Sequence, residues 1–251
     1  MTMKALTQNR VWRSIFRQGY PSNEEDQSKV MVNSFFLHIH PVKVNMSTLR
    51  FRYTFGLGII STVLFAILVG TGVWLMFYYV PSVERAYSDI QNIQSNIAFG
   101  ALMRNTHRWA AHLMVLTVFL HMGRVFLTGA YRHPREFNWA IGLSLWVITL
   151  LLSFTGYLLP WDQLAYWAIT VSTNIAGTIP LIGEKIRVFL LGGAETGSES
   201  LVRFYALHIA VLPMLMVLLL GVHFWRIRKD GGLASPDEDG DEDNKEGKLV
   251  E

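Results

Sequence analysis

The 251-residue chain contains no cysteine. That absence excludes disulfides, a cysteine-ligated iron–sulfur cluster and thioether attachment of a c-type haem anywhere along it. Residues 1–52 are polar and basic and lack a short apolar stretch ending in a cleavage site, so no signal peptide is expected and the first span is expected to act as its own insertion signal. No internal repeat is visible. The net charge of +3 and pI near 9.2 come without a basic nucleic-acid-binding face, because the charges sort by topology instead.

What is abundant is apolar sequence, at 51% of residues. Four runs at about 53–80, 106–127, 138–159 and 205–226 each supply the roughly twenty apolar positions a bilayer demands. The chain therefore reads as an all-α membrane protein, a four-transmembrane-helix bundle. Assigning alternate loops to opposite faces puts Lys4, Arg10, Arg13, Arg17, Lys29, Lys43, Arg50, Arg52, Arg124, Arg132, Arg135, Arg226, Arg228 and Lys229 on one side. The other side has Arg85, Arg104, Arg108, Lys185, Arg187 and Arg203, balanced by six acids. Positive charge marks the cytoplasmic side, so both termini are expected there. Residues 1–52 read as a cytoplasmic arm with an amphipathic segment near 30–44, and 53–229 as the membrane domain. A surface helix is expected within 81–103, and 161–204 reads as a long external segment. Residues 230–251, with eight acids between Asp237 and Glu251, read as a disordered acidic tail.

Two histidine pairs dominate the apolar runs. His107 and His121 are fourteen residues apart in the second span, and His208 and His223 fifteen apart in the fourth. Each gap is close to four helical turns and covers roughly 21–22 Å, so two facing helices present imidazoles at two depths. Neutral imidazole is a common iron ligand, and ionisable residues inside hydrocarbon are costly enough to demand a role. The pattern fits two stacked haems clamped between helices. His112 falls about 140° away around the helix and is excluded. His38, His40 and His133 lie in polar loops.

Gly58 and Gly72 in the first span, and Gly142 and Gly156 in the third, repeat the fourteen-residue gap. Glycine lets a helix backbone approach a flat macrocycle, although it also serves helix–helix contact. Arg104 and Arg124 lie one turn beyond His107 and His121, where a guanidinium pairs with a haem propionate or anchors the helix at the interface. Pro213 is expected to bend the fourth span after His208. No side chain is singled out as catalytic.

Five stretches resemble the cytochrome b family, and within it the short, split form called cytochrome b6. They are Arg104-Asn-Thr-His107-Arg-Trp, Leu120-His121-Met-Gly-Arg124-Val, Gly156-Tyr-Leu-Leu-Pro160-Trp-Asp-Gln163, Arg203-Phe-Tyr-Ala-Leu-His208 and His223-Phe-Trp-Arg-Ile-Arg228-Lys229. The resemblance implies a subunit of a quinol–cytochrome c oxidoreductase of the bc or b6f type. It implies two non-covalent b haems, one on His107 and His208 near the outer face and one on His121 and His223 near the inner face. Quinol would be oxidised outside and quinone reduced inside, with Arg228, Lys229 and Asp230 near the inner quinone pocket. Implied partners are a Rieske-type iron–sulfur protein, a c-type cytochrome, and a subunit IV-like or fused C-terminal cytochrome b chain that carries the glutamate of the quinol-oxidation motif. The complex would be dimeric, in a bacterial cytoplasmic membrane. Gly56 stands where photosynthetic b6 proteins have a cysteine, so any third haem at the inner face has no thioether link to this chain. The rival readings are a dihaem anchor of another quinone-reducing complex, and a non-redox transporter or pigment-binding bundle.

Overall fold

A computed structural model describes residues 54–230, together with residues 23, 24, 232 and 233. Nearly all of residues 1–52, expected to form a cytoplasmic arm with an amphipathic segment, and most of residues 230–251, expected to form an acidic tail, lie outside the described residues.

Every regular element among the described residues is helical: α1 (Leu57–Met76), α2 (Ala86–Ser95), α3 (Gly100–Leu127), α4 (Glu136–Leu158), α5 (Gln163–Gly177), α6 (Gly183–Leu191), α7 (Ser198–Ala206), a π-turn (Leu207–Val211) and α8 (Leu212–Lys229). Four helical stretches are long and apolar enough to cross a bilayer, namely α1, α3, α4 and the stretch Ser198–Lys229. This is an integral membrane protein. Helices suit that solvent because each closes its own backbone hydrogen bonds where no water is available. Hydroxyls inside the spans are disposed of the same way. Thr62 donates to the Gly58 carbonyl at 2.9 Å, and Ser144 to that of Ala140 at 3.0 Å.

The described chain groups into two compact units, each assembled from separated segments. The first comprises residues 58–118 and 146–217; among the described residues, the second comprises 23, 24, 54–57, 119–145, 218–230, 232 and 233.

In the first unit the surface helix expected within 81–103 is present as α2. Asp89 ties it down, accepting from the Val80 amide at 3.0 Å and from Arg85 at 3.3 Å. Tyr79 donates its hydroxyl to the Leu159 carbonyl at 2.7 Å, and burial, then the proximity of Tyr205 and Asp89, pushes that phenol well above the usual tyrosine range. It therefore stays a donor at every physiological pH. Tyr79, Ala86, Ile93 and Leu201 close one apolar cluster there.

The external segment after the third span is more ordered than its glycines and prolines indicate. Pro160 follows the end of α4, Trp161 takes a left-handed turn (φ 51°), and Asp162 caps α5 by accepting the Ala165 amide at 2.8 Å. Helix α6 then ends on Gly192 at φ 78°, the left-handed position glycine fills most easily. Leu158, Ile169, Leu191 and Phe204 pack as a second cluster that fixes α5 and α6 onto α4 and α7. The sequence signal was masked because the apolar faces of these two helices are short and interleaved with turn residues.

Leu158 is fully buried in this cluster, whereas Leu164 on α5 is 65% exposed. Leu158→Ala is expected to cost about 2–5 kcal/mol, and Leu164→Ala less than about 0.5 kcal/mol. Thermal unfolding of the detergent-solubilised variants measures the contrast.

Candidate metal centres at two histidine pairs

In the first unit His107 on α3 and His208 in the π-turn face each other, with ring centres 6.2 Å apart and planes at 70°. Both rings are largely withdrawn from solvent, and each is held from behind by the same dipeptide. Thr71-Gly72 of α1 serves His107, and Thr155-Gly156 of α4 serves His208. Thr71 Oγ1 lies 2.9 Å from His107 Nδ1, and Thr155 Oγ1 3.1 Å from His208 Nδ1.

The direction of these bonds follows from a second set of contacts. Thr71 Oγ1 is 2.7 Å from the Ile67 carbonyl, and Thr155 Oγ1 is 2.8 Å from the Leu151 carbonyl. A carbonyl only accepts, so the single hydroxyl proton of each threonine is spent on its own helix. Toward histidine the threonine oxygen is therefore an acceptor, and Nδ1 carries the imidazole proton. The lone pair is left on Nε2, the tautomer a metal needs.

The glycines are required by closeness. A Cβ on Gly72 would sit 3.3 Å from His107 Cε1, and one on Gly156 would sit 2.6 Å from His208 Cε1. No side chain fits at Gly156 without moving the imidazole.

In the second unit His223 on α8 and His121 on α3 are close enough to interact electrostatically. His223 faces the carbonyl of Asn138, but its Nδ1 makes no full hydrogen bond among the described residues. Asn138 precedes Gly142 by four residues, just as Leu68 and Leu152, whose carbonyls approach His107 and His208, precede Gly72 and Gly156. Gly142 is roomier than its counterparts, since an added Cβ would meet Met122 Sδ at 3.7 Å and His223 Cε1 at 3.9 Å. Gly58 lies in α1, half-buried, with its carbonyl taken by Thr62.

The arginines divide likewise. Arg104 donates to Gln94 Oε1 of α2 at 2.9 Å, and Arg124 acts electrostatically on His121. Near the end of α8 the structure reveals a pair that sequence reading passed over: Arg226 and Asp230 form an ion pair at 3.1 Å with both side chains fully buried. The guanidinium also stacks over Phe137 at 5.3 Å, and Arg135 donates to the Asp230 carbonyl at 3.2 Å. The i,i+4 spacing of Arg226 and Asp230 was the available signal. Of the neighbouring cations, Lys229 lies over Trp225 at 4.9 Å, and Arg228 is half-buried on the same last turn of α8.

Fifteen residues separate His208 from His223, against fourteen in α3. The π-turn accounts for the difference. Pro213 has no amide proton, and the Leu212 amide bonds back to Leu207, five residues earlier. A π-turn takes up one residue more than an α-turn, which matches the one-residue excess of this gap. The bend expected at Pro213 thus takes the form of a widened turn carrying His208.

Among the described residues no cluster of three or more His, Cys, Asp or Glu gathers to cage a bare ion. The His107–His208 pair instead sets one imidazole on each side, which suits a metal whose other positions are filled by a planar macrocycle. Two metal–nitrogen bonds of roughly 2 Å plus about 1.1 Å from each nitrogen to its ring centre sum to about 6 Å, which the 6.2 Å between the His107 and His208 ring centres matches. Haem therefore fits the residues present.

The sequence model described as "Cytochrome b/b6/petB" matches residues 42–231. This chain belongs to the cytochrome b/b6 family. Family membership implies haem b. Among its relatives, the cytochrome b6 of Heliobacterium modesticaldum is 44% identical over 192 residues, covering 76% of this chain and 88% of that protein. The cytochrome b6 of Porphyra purpurea is 45% identical over 175 residues, 70% of this chain and 81% of the relative. A solved chain titled "Hyperthermophilic respiratory Complex III" superposes with a TM-score of 0.71 at 29% identity, over 88% of this chain and 57% of that one. The present chain thus spans little more than half the length of that solved chain.

The glycine geometry yields a ranked expectation. Gly156→Ala drives a methyl to 2.6 Å from His208 and is expected to remove the haem on the His107–His208 pair. Gly142→Ala meets only ordinary contacts at 3.7 Å and beyond and is expected to retain both haems. Pyridine haemochrome quantitation of the two purified variants reads the difference.

Proposed function

We propose that this chain is the cytochrome b6-like subunit of a quinol–cytochrome c oxidoreductase of the bc or b6f type. It carries electrons across the membrane from quinol oxidation at the outer face to quinone reduction at the inner face, coupled to proton translocation. The observation that carries the proposal is the opposed pair His107 and His208, ring centres 6.2 Å apart and each Nδ1 within hydrogen-bond distance of a threonine hydroxyl; the threonines' bonds to their own helices favour the tautomer that leaves Nε2 to coordinate. Two non-covalent b haems supply the one-electron chemistry when bound.

The chain's own residues bind and orient. His107 and His208 hold the outer haem, His121 and His223 the inner one, and Gly72, Gly156, Gly142 and Gly58 leave room for the macrocycles. Arg104 and Arg124 neutralise propionates; Gln94 fixes the first of these guanidiniums on α2. At the inner face quinone meets Arg228, Lys229 and Asp230, where Asp230 acts as one member of the buried pair with Arg226. The pair brings a carboxylate and a cation to the place where a reduced quinone takes up protons.

The positive-side loops support cytoplasmic termini and a bacterial cytoplasmic membrane. The absence of cysteine means that the iron–sulfur cluster belongs to a Rieske-type partner. Electrons leave through a c-type cytochrome, and a subunit IV-like or fused C-terminal partner completes the quinol-oxidation site in a dimeric complex.

A dithionite-minus-ferricyanide difference spectrum of the purified complex is expected to show two b-type haems. His121→Ala is expected to lose the inner haem and keep the outer. Loss of both, or of neither, contradicts the pairing, and a chain without a reducible chromophore contradicts the function.

A further inference from the structure

One histidine of the spans has no part in the metal pairs. His112 lies on α3, twelve residues after Gly100 and fifteen before Leu127, so it stands about 2 Å from the midpoint of that helix. It faces outward and is exposed. Outward positions near the middle of the other spans are apolar, as at Val63 and Ile67 of α1, Val147 and Leu150 of α4, and Met214 of α8, or, at Ser144, carry a hydroxyl that donates to its own helix.

The His112 ring meets Trp109 edge-on, with centres 5.9 Å apart. That contact leaves its N–H and its lone pair without hydrogen-bond partners among the described residues. Ionisable side chains inside a bilayer almost always face a bundle interior or an aqueous cavity, because hydrocarbon satisfies neither group. An outward imidazole at mid-membrane therefore calls for a covering surface that can hydrogen-bond.

The neighbouring residues give that surface its shape. Leu102, Asn105, Trp109, His112 and Leu116 are all exposed and follow one another at alternating gaps of three and four. This is the 3.5-residue repeat of a seam between two packed helices, which in membranes commonly cross at about 20°.

We propose that this face of α3 is the docking seam for a membrane-spanning helix of another subunit, which presents a hydroxyl or carboxamide side chain to His112 at mid-membrane. The inference rests on the reading above that the chain works within a larger complex, and not on haem. A hydroxyl or carboxamide both donates and accepts, so it satisfies a neutral imidazole in either tautomer without bringing a charge into hydrocarbon. A second copy of this chain is a poorer occupant. Copies that share one topology are related by an axis along the membrane normal, so α3 would meet itself residue for residue. That pairing sets Trp109 against Trp109 and brings two exposed Arg108 guanidiniums to one depth beside the seam, where like charges repel.

Site-specific photo-cross-linking in membranes that hold the full complex tests the seam. With p-benzoylphenylalanine in place of Leu116, the expected product is a conjugate with one span of a different subunit, carrying Ser, Thr, Asn or Gln about one turn from the cross-linked residue. His112→Leu is expected to lower the amount of that subunit retained through detergent purification about fivefold, the effect of one hydrogen bond between membrane helices, while His112→Gln retains it. Conjugates with lipid alone, with a second copy of this chain or with a span lacking such a side chain overturn the inference. So does retention in His112→Leu equal to that of the wild type, or loss in His112→Gln equal to that in His112→Leu. If His112→Leu fails to accumulate, the cross-link from position 116 decides. A multi-subunit complex with two b haems and any of the contrary results sinks this inference alone; a chain that purifies with no other subunit sinks the functional reading as well.

Discussion

An imidazole placed inside a membrane brings one N–H donor and one lone pair, and in hydrocarbon both need partners. At His107 and His208 the chain solves half of that problem with threonine and leaves the other half open. The two rings stand 6.2 Å apart between centres, with planes at 70°. A metal within a planar macrocycle would give both lone pairs one partner, and the same macrocycle would account for the glycines at Gly72 and Gly156. On that reading the threonines, the glycines and the ring spacing answer one requirement.

That requirement also explains the helix irregularity. A π-turn forfeits regular α hydrogen bonding and is tolerated in a span only when something is gained. Here Pro213 has already removed one donor, so the local ladder is broken regardless. The turn places His208 opposite His107 and absorbs the residue by which α8's histidine gap exceeds that of α3.

Much of this was legible in the amino-acid order because it rests on period and length. Four apolar runs correspond to the four spans, and the histidine and glycine gaps raise candidate ligands and cradles of which the structure brings His107, His208, Gly72 and Gly156 together. What escaped was whatever depends on one side chain meeting another far along the chain. Thr71 and Thr155 look like ordinary small polar residues in membrane helices until Nδ1 atoms 36 and 53 positions away are seen against them. Pro213 announced a distortion but not its kind, since proline removes a donor without specifying which earlier carbonyl the next free amide will choose. The segment between the third and fourth spans was read as extended loop because glycine and proline punctuate it; the apolar faces of α5 and α6 declare themselves only once Leu158 and Phe204 are there to receive them.

The Arg226–Asp230 pair shows how the same physics acts on charge. Burying two ions completely is expensive, and the attraction between them recovers that cost only with good geometry and further contacts. This pair has them, in the stacking of Arg226 on Phe137 and the donation of Arg135 to the Asp230 backbone. Such a pair is a weak source of stability but a strong constraint on arrangement, because removing either partner strands the other. Lys229 and Arg228 flank it on the last turn of α8, so the turn carries a surplus of positive charge around one committed carboxylate. The sequence Arg-Ile-Arg-Lys-Asp thus holds one acid against Arg226 while two further cations on the same turn leave it net positive.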